Sequence, residues 1–265
     1  MSTIGKYNGV SAYNLRPNAI DTREMNGAYT PNTIVQDGLF FSNDYLNPNC
    51  YSGTGTAVSD LSPNGNNSTI YGGLESTFSQ NGTFDFDGVN DGIQTNTAQL
   101  LDYTNNGVGM GFWFNWDGGT QTQIFGEWFW NNGGGDRFGV RVFWVGTNLY
   151  AALLRPTNVN YFITSNVSAG TWYYVYLQNR YDGGTNWSGG VWLGDSSLSQ
   201  LYQGVASSVV PASNNLSQPI TIGAGAGLGN NYDGRQGEFH VYNNKFLTND
   251  EVTRNYNATK KRYGY

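Results

Sequence analysis

The sequence predicts an all-β protein: a two-sheet antiparallel sandwich with one short C-terminal helix. Three observations lead to this prediction. The 265 residues include 37 glycines and 15% aromatic residues but only 12% charged residues, which favours tight turns and pleated strands over helices. Several central segments alternate apolar and small or polar residues with the period of two that is typical of strands. Asp-Gly turns recur between these segments.

Residues 1–35 differ from the rest because they lack a sustained alternating pattern and contain Pro17 and Pro31. Two interpretations stay open for this segment: it packs across the sandwich, or it forms an extended arm that docks onto a neighbouring subunit. We assign residues 1–35 as an N-terminal arm and residues 36–265 as the folded domain. The N-terminus has no apolar stretch of signal-peptide length, and no run approaches the roughly 18 apolar residues of a membrane span. We therefore expect synthesis in the cytoplasm without membrane insertion.

The first strands are expected after Asp37, and residues 83–95 predict a hairpin with its turn at residues 88–91. The hairpin contains the one local carboxylate cluster of the sequence, formed by Asp85, Asp87 and Asp91. Hard oxygen ligands suit Ca²⁺, so a calcium site is one interpretation. Hydrogen bonding within an Asx turn is the other. The sequence gives no sign of a required cofactor.

The central strands have two distinct faces. Residues 108–116 place glycines and Trp113 on one face and large apolar residues on the other, namely Val108, Met110, Phe112, Phe114 and Trp116. The glycine face suits the close packing of another layer, or a shallow groove. The alternation in residues 137–145 predicts a second strand with one apolar face, and it places Arg141 on the opposite face. Residues 171–181 carry aromatic residues on both faces, which indicates burial on both sides or an aromatic surface for a partner.

The C-terminal segment predicts a strand at residues 237–242 followed by a capped helix. Thr248 and Glu251 have the spacing of a capping box, and Leu247 and Val252 that of a hydrophobic staple. The basic end that follows, Lys260 to Arg262, has two interpretations, a solvated tail or a dock for an acidic neighbour. The net charge of −6 argues against nucleic-acid binding, which needs basic patches that displace phosphate counterions.

Few residues are suited to catalysis. The single cysteine, Cys50, excludes a disulfide framework, and the single histidine, His240, lies in an alternating strand where a structural role is expected. Glycoside hydrolysis needs two carboxylates roughly 5–10 Å apart, but the five glutamates are isolated in sequence. Glu127, flanked by tryptophans, resembles a sugar-site carboxylate that lacks a second carboxylate nearby in sequence.

Exposed aromatic rings can stack on the faces of sugars, and this sequence is rich in aromatic residues. Most tryptophans in a sandwich of this size belong to the core, so one or two of the candidates are expected to contact a ligand. The candidate glycan contacts are Trp113, Trp128, Trp130, Trp187, Trp192 and Tyr232.

A spaced set of motifs resembles the laminin-G-like, concanavalin A-like jelly-roll domains over about residues 36–265. The set comprises Asp44 with residues 51–56 and 59–67, then residues 84–91, 171–175 and 220–223, and finally Gly234 with residues 237–243, 247–251 and 255–257. The resemblance implies two curved antiparallel sheets packed face to face. Domains of this family often bind glycans, sometimes with Ca²⁺ at the sandwich rim. The carboxylate cluster of the glucanase branch is absent here, which counts against hydrolysis.

The closing residues, 255–264, are similar to versions found in structural proteins of tailed bacteriophages, notably marine ones. This resemblance implies a non-enzymatic virion component, such as a capsid decoration, head-fibre or tail-appendage protein. Such a protein is expected to dock onto other virion proteins through its N-terminal arm, to form a homo-oligomer on the particle and to expose a lectin-like surface. The alternatives are a free carbohydrate-binding module or glycoside hydrolase of the same superfamily, and a structural cement protein without a ligand.

Overall fold

The computed structural model describes residues 33–101, 107–131, 137–155, 158–164, 167–208, 216–225 and 227–265. Residues 1–32, which make up most of the predicted arm, lie outside this description. The described residues form two antiparallel sheets packed face to face with one short helix, which confirms the predicted fold class. Residues 33–35 pack against the helix, where the Arg254 side chain donates hydrogen bonds to the backbone carbonyl and hydroxyl of Thr33.

Strands are numbered in chain order. The first sheet, sheet one, runs in the order β1–β17–β7–β12–β13–β14, with β4 also paired to β17. Its strands are β1 (Leu39–Asn43), β4 (Phe84–Asp87), β7 (Val108–Trp116), β12 (Trp172–Gly183), β13 (Asn186–Gly194), β14 (Leu198–Ser207) and β17 (Asp233–Asn243).

The second sheet, sheet two, runs in the order β11–β10–β9–β8–β16–β5–β3–β2. Its strands are β2 (Ala57–Val58), β3 (Ser68–Tyr71), β5 (Gly92–Thr95), β8 (Gln123–Asn131), β9 (Arg137–Val145), β10 (Asn148–Arg155), β11 (Asn158–Thr164) and β16 (Thr221–Ile222). A separate two-stranded ribbon pairs β6 (Gln99–Leu101) with β15 (Leu216–Gln218).

The predicted hairpin over residues 83–95 is wrong. β4 pairs with β17 in sheet one, whereas β5 pairs with β3 and β16 in sheet two. The turn at residues 88–91 therefore carries the chain from one sheet to the other. Both runs alternate and both bury apolar side chains, so the local pattern could not distinguish a hairpin from a crossover between the two layers.

The main core lies between the sheets and has the face assignments predicted from the sequence. Phe112 and Phe114 of β7 point inward and meet Phe125 and Phe239, and Phe112 and Phe239 stack with ring centroids 4.9 Å apart. From sheet two, the alternating inward residues of β9 complete this core, namely Phe138, Val140, Val142 and Trp144. The burial of these aromatic rings removes large apolar areas from water, which favours folding.

A second core covers the outer face of sheet one. The C-terminal helix α1 (Asn249–Thr259) and a 3-10 turn, Lys260–Tyr263, lie across β7 and β12. Gly109 and Gly111 make this layer possible: an added Cβ would lie 2.3 Å from the hydroxyl of Tyr176 and 2.8 Å from that of Tyr174, respectively. Of the two interpretations for this glycine face, the structure shows close packing of another layer.

The helix begins as the sequence predicts. Thr248 is the N-cap, and both halves of the capping box with Glu251 are formed. Leu247 and Val252 are both buried in the second core, as a hydrophobic staple requires. The basic end is not a simple solvated tail, because Arg262 forms ion pairs with Asp44 and with the buried Glu238. None of the described helices is long and apolar enough to cross a membrane.

Candidate functional site

Five of the six predicted glycan contacts lie inside the protein. Trp113 is fully buried beneath the C-terminal segment, where its indole N–H donates to the Thr259 hydroxyl at 2.7 Å. Trp192 is buried in the same second core. Their position on the outer face of sheet one matches the sequence pattern, but helix α1 and the chain that follows it cover that face. Neither ring offers a face to a sugar.

The other three described candidates belong to the main core. Trp128 stacks on Phe40 and its indole N–H donates to the Gln218 carbonyl, whereas Trp187 donates to the Ser208 carbonyl. The Tyr232 ring is fully buried, and its hydroxyl donates to the Arg235 carbonyl at 3.3 Å. Each polar tip therefore has a partner inside the fold, as buried tryptophan and tyrosine require. The side chain of Trp130 lies outside the described part of the chain.

The three predicted calcium ligands point to different surroundings. Asp91 is buried and accepts a hydrogen bond from the Asp87 backbone N–H at 3.0 Å, while Asp87 accepts from the Val89 N–H at 2.8 Å. The Asp87 contact is an Asx turn, the second interpretation of the cluster, and the Asp91 contact closes the same turn from its other end. Asp85 lies on the exposed face of β4, opposite Arg235 in β17. Among the described residues, no group of three or more His, Cys, Asp or Glu side chains is arranged to hold a metal ion.

His240 has the structural environment that the sequence predicts. It is buried in β17, and its Nδ1 lies 3.2 Å from the Ser42 hydroxyl. Burial lowers the pKa of His240 to about 4, so the ring stays neutral at physiological pH. Cys50 is likewise buried, and burial raises the pKa of its thiol to about 12, which leaves it unreactive.

The strongest concentration of ligand-binding chemistry on the described surface lies on the outer face of sheet two. Glu127 of β8 and Arg141 of β9 are direct cross-strand neighbours on this face. The Arg141 Nε lies 2.9 Å from a Glu127 carboxylate oxygen, with 24% of the arginine side chain exposed and 3% of the glutamate. The N–H is not aimed at that oxygen, so the contact is an ion pair rather than a well-formed hydrogen bond. The guanidinium is the accessible member of the pair.

Two half-buried aromatic rings lie beside the guanidinium of this ion pair, and a third stacks on one of them. The Arg141 guanidinium lies 5.3 Å from the Phe129 ring centroid and 5.1 Å from that of Phe143. The Tyr150 ring of β10 stacks on Phe143, with centroids 5.1 Å apart and planes 15° apart. A guanidinium held over aromatic faces loses little further freedom on binding. We call these five residues, Glu127, Phe129, Arg141, Phe143 and Tyr150, the sheet-two face.

The strand register explains why the face is polar at its centre. Thr221 of β16 lies opposite Glu127, and Ala152 of β10 lies opposite Arg141. The buried Thr221 hydroxyl and the Arg141 Nε have no hydrogen-bond partner among the described residues. A buried polar atom without a hydrogen-bond partner costs about 1–3 kcal/mol, and at the Arg141 Nε the ion pair with Glu127 offsets part of that cost.

A separate pocket with a volume of about 340 Å³ opens at the loops before β2 and β4. It has an apolar wall and an uncharged polar rim, and its lining residues are Tyr45, Leu46, Pro48, Tyr51, Ser52, Gly53, Phe78 and Gln80. This volume lies at the small end of the range for ligand sites. The pocket is a second place where a small neutral ring could bind.

Sequence reasoning identified Glu127 but missed the aromatic members of the sheet-two face. The alternation in β9 did place Arg141 on the face opposite the core. Phe143 has the same parity as Arg141, and this was the available signal. Tyr150 could not be assigned to the face because its pairing with Phe143 depends on the register of β10 against β9, which the sequence does not give.

Comparisons with known proteins bear on the fold. No protein-family model matches the sequence, and no curated protein matches it. Solved structures do match. One is a structure of botulinum neurotoxin type C, whose cell entry is described as dependent on two ganglioside molecules. It is 11% identical, with a TM-score of 0.55 over 87% of this chain and 52% of that chain. The receptor-binding domain of botulinum neurotoxin type G is 12% identical, with a TM-score of 0.51 over 86% and 54%.

A third match is a variant of a GH54 α-L-arabinofuranosidase soaked with 4-nitrophenyl α-L-arabinofuranoside. It is 15% identical, with a TM-score of 0.55 over 78% of this chain and 51% of that chain. The chain thus spans about half the length of the solved structures it matches. At these identities the likeness shows the fold alone. The fold is a β-sandwich shared by binding domains and by glycoside hydrolases.

Proposed function

We propose that this protein is a non-enzymatic, lectin-like domain that binds glycans on its sheet-two face. The observation that carries the proposal is the partly exposed Arg141 guanidinium, which is ion-paired with Glu127 and lies over two aromatic rings, one of which stacks on a third. The matched folds include a neurotoxin linked to gangliosides and an arabinofuranosidase, which supports a carbohydrate as the ligand class.

The chemistry suits a sugar because a pyranose or furanose ring has an apolar face and polar edges. The edge of the stacked Phe143–Tyr150 pair offers an apolar contact, and the terminal N–H groups of the partly exposed Arg141 guanidinium can donate to hydroxyl or carboxylate oxygens. Glu127 is too buried to serve as a main contact, so its role is to position the guanidinium. Hydrogen bonds to a charged group contribute about 1.5–3 kcal/mol, roughly a tenfold to hundredfold change in affinity.

Binding rather than hydrolysis is favoured by the surroundings of Glu127. Hydrolysis by the common mechanisms needs a second carboxylate roughly 5–10 Å away. The cross-strand neighbours of Glu127 on this face are Thr221 and Arg141, and the next residue across the sheet is Ala152. None of these described neighbours is acidic. A reducing-sugar assay on any bound glycan is expected to show no turnover, and turnover abolished by Glu127→Gln would overturn the non-enzymatic assignment.

The experiment that tests the site is a glycan array followed by calorimetry on the best-binding oligosaccharide. We expect Arg141→Met and Phe143→Ala each to weaken binding at least tenfold. Because Arg141→Met leaves Glu127 without its cation, the double variant Glu127→Gln/Arg141→Met serves to separate loss of binding from loss of folding. Phe78→Ala, in the separate pocket, is the matched control. Binding lost in Phe78→Ala but kept in Phe143→Ala would assign the ligand to the pocket instead.

For the biological setting we propose a virion component of a tailed bacteriophage, bound to other virion proteins through residues 1–35. The similarity of residues 255–264 to phage structural proteins supports this setting. Mass spectrometry of purified particles tests it, and deletion of residues 1–32, which keeps the residues packed against helix α1, tests the arm. Particles that retain the truncated protein would show that the arm is not the anchor. A protein absent from purified particles would favour a free carbohydrate-binding module.

A further inference from the structure

Two long edge strands lie together on one side of the sandwich. Within the described residues, β14 pairs only with β13 and β11 pairs only with β10. The Tyr202 ring of β14 stacks on the Phe162 ring of β11, with centroids 4.1 Å apart. The two sheets therefore end side by side. In the part of the chain that the structure describes, each of these two strands therefore has one side that no other strand of its own sheet covers.

The opposite edges of both sheets are protected. β4 carries two exposed aspartates, and β2 is only two residues long. β1 is capped by its own loop: Asp60 accepts a hydrogen bond from the Ser42 N–H, while the side-chain amides of Asn64 and Asn66 donate to the Phe40 carbonyl. Short length, charge and cover are the devices by which proteins prevent edge pairing.

Among the described residues, the β14 edge has few of these devices. Its ten residues contain neither a charged residue nor a proline, although the protein as a whole carries a net charge of −6. Val205 is 67% exposed and Leu201 is 46% exposed, two of the most exposed large apolar side chains described. One bulge interrupts the pairing with β13 at Leu201. The regular stretch that remains runs over residues 202–207.

We propose that β14 pairs antiparallel with β14 of a second copy of this chain, about a two-fold axis that passes through Val205. The axis places Val205 opposite its own copy, and Gln203 opposite Ser207 of the other copy. All three side chains alternate onto the same face, as residues opposite each other in a continuous sheet must. The two copies of sheet one then form one continuous sheet.

A second copy fits this edge because the strand is complementary to itself. Two protomers of net charge −6 repel each other, and an uncharged edge is where that repulsion opposes contact least. A two-fold contact uses the same patch on both protomers and closes on itself, so it yields a dimer rather than a fibre. The dimer would also present two sheet-two faces at once, although the pairing does not depend on what those faces bind.

Cysteine cross-linking tests both the contact and its register. The one natural cysteine, Cys50, is 2% exposed. Any disulfide between two copies can therefore be attributed to a cysteine introduced on the surface. Opposite residues in an antiparallel pair have Cα atoms about 4.5–5.5 Å apart, within the span of a disulfide. We expect Val205→Cys to form a disulfide dimer under mild oxidation. Gln203→Cys should cross-link poorly alone but efficiently when mixed with Ser207→Cys. Thr253→Cys, exposed on helix α1, measures random collision.

Sedimentation of the full chain supplies the independent measurement. Val205→Lys places two like charges opposite each other at the axis, so the dissociation constant of the dimer should rise at least tenfold. The far-ultraviolet spectrum and unfolding midpoint should not change, because Val205 is exposed in the monomer. Val205→Ile is the control that keeps the dimer. The proposal is overturned if the wild type stays monomeric at its highest soluble concentration, or if Gln203→Cys cross-links alone and Val205→Cys does not.

Discussion

Arg262 provides the sharpest test of how the C-terminal segment is held. Its guanidinium contacts Asp44 at 2.7 Å and also binds Glu238. The Arg262 side chain is 15% exposed and that of Glu238 is 1% exposed. Burial raises the pKa of the Glu238 carboxyl, and the positive charge of Arg262 offsets part of that rise. The change we consider is Arg262→Met, which keeps much of the volume and removes the charge.

We expect Arg262→Met to lower the free energy of unfolding by about 3–5 kcal/mol, the usual cost of leaving one member of a buried ion pair without its partner. At about 2–4 °C per kcal/mol for a domain of this size, the melting temperature should fall by about 10 °C. The deficit should shrink as the pH is lowered. The reason is that the pKa of Glu238, already raised, rises further without the cation, and protonation removes the buried charge.

Urea unfolding followed by tryptophan fluorescence gives the free energies. The double variant Glu238→Gln/Arg262→Met should recover most of the loss, since replacing both charges removes the desolvation cost of each. Lys261→Met is the matched control, because Lys261 precedes Arg262 in the chain and is exposed. This substitution should change the free energy of unfolding by less than about 0.5 kcal/mol. A loss below about 1 kcal/mol in Arg262→Met, or a double variant as unstable as the single one, would refute the reasoning.

Three further predictions concern stability and can be measured by thermal and urea unfolding. Burial raises the pKa of Asp91 from 3.8 to about 6. The stability that the protonated Asp91 carboxyl contributes is therefore complete below pH ~4 and is lost as the pH rises through about 6. Asp91→Asn should raise the melting temperature at pH 8 and make the melting temperature depend less on pH. Gly111→Ala should cost about 1–3 kcal/mol by overpacking against Tyr174 and Tyr176, whereas Gly229→Ala, with open space around it, should be close to neutral. Thr248→Ala should cost about 1 kcal/mol by removing the N-cap, and Thr248→Ser should restore most of it.

The part of the fold that is local in sequence was predictable. Alternation in β7, β9 and β12 assigned the inward faces, because the side-chain period of a strand is fixed by backbone geometry. The capping box at Thr248 and Glu251 located the start of the helix, because its two hydrogen bonds join residues three apart. The structural role of His240 was predictable for the same reason as the strand faces, because His240 lies in an alternating strand.

The candidate site was predictable only in part. The tryptophans next to Glu127 in sequence indicated a sugar site, yet Trp128 points into the core. The residue that forms the ion pair with Glu127 is Arg141, on the next strand. The four candidate tryptophans whose side chains the structure describes, Trp113, Trp128, Trp187 and Trp192, are buried for one physical reason. A large ring on a strand is buried when another layer covers its face, and whether such a layer exists depends on distant residues: helix α1 covers Trp113, and sheet one covers Trp128.

The sequence alone determined the strand content, the faces of the central strands and the capped helix, since each follows from interactions within a few residues. Only the tertiary structure decided which strands are neighbours. It sent β4 and β5 to different sheets, brought Arg141 and Phe143 beside Glu127 and Tyr150, and left β14 as an uncharged edge. Strand pairing is settled by the burial of whole faces against one another, and that energy belongs to the assembled sheets rather than to any one segment.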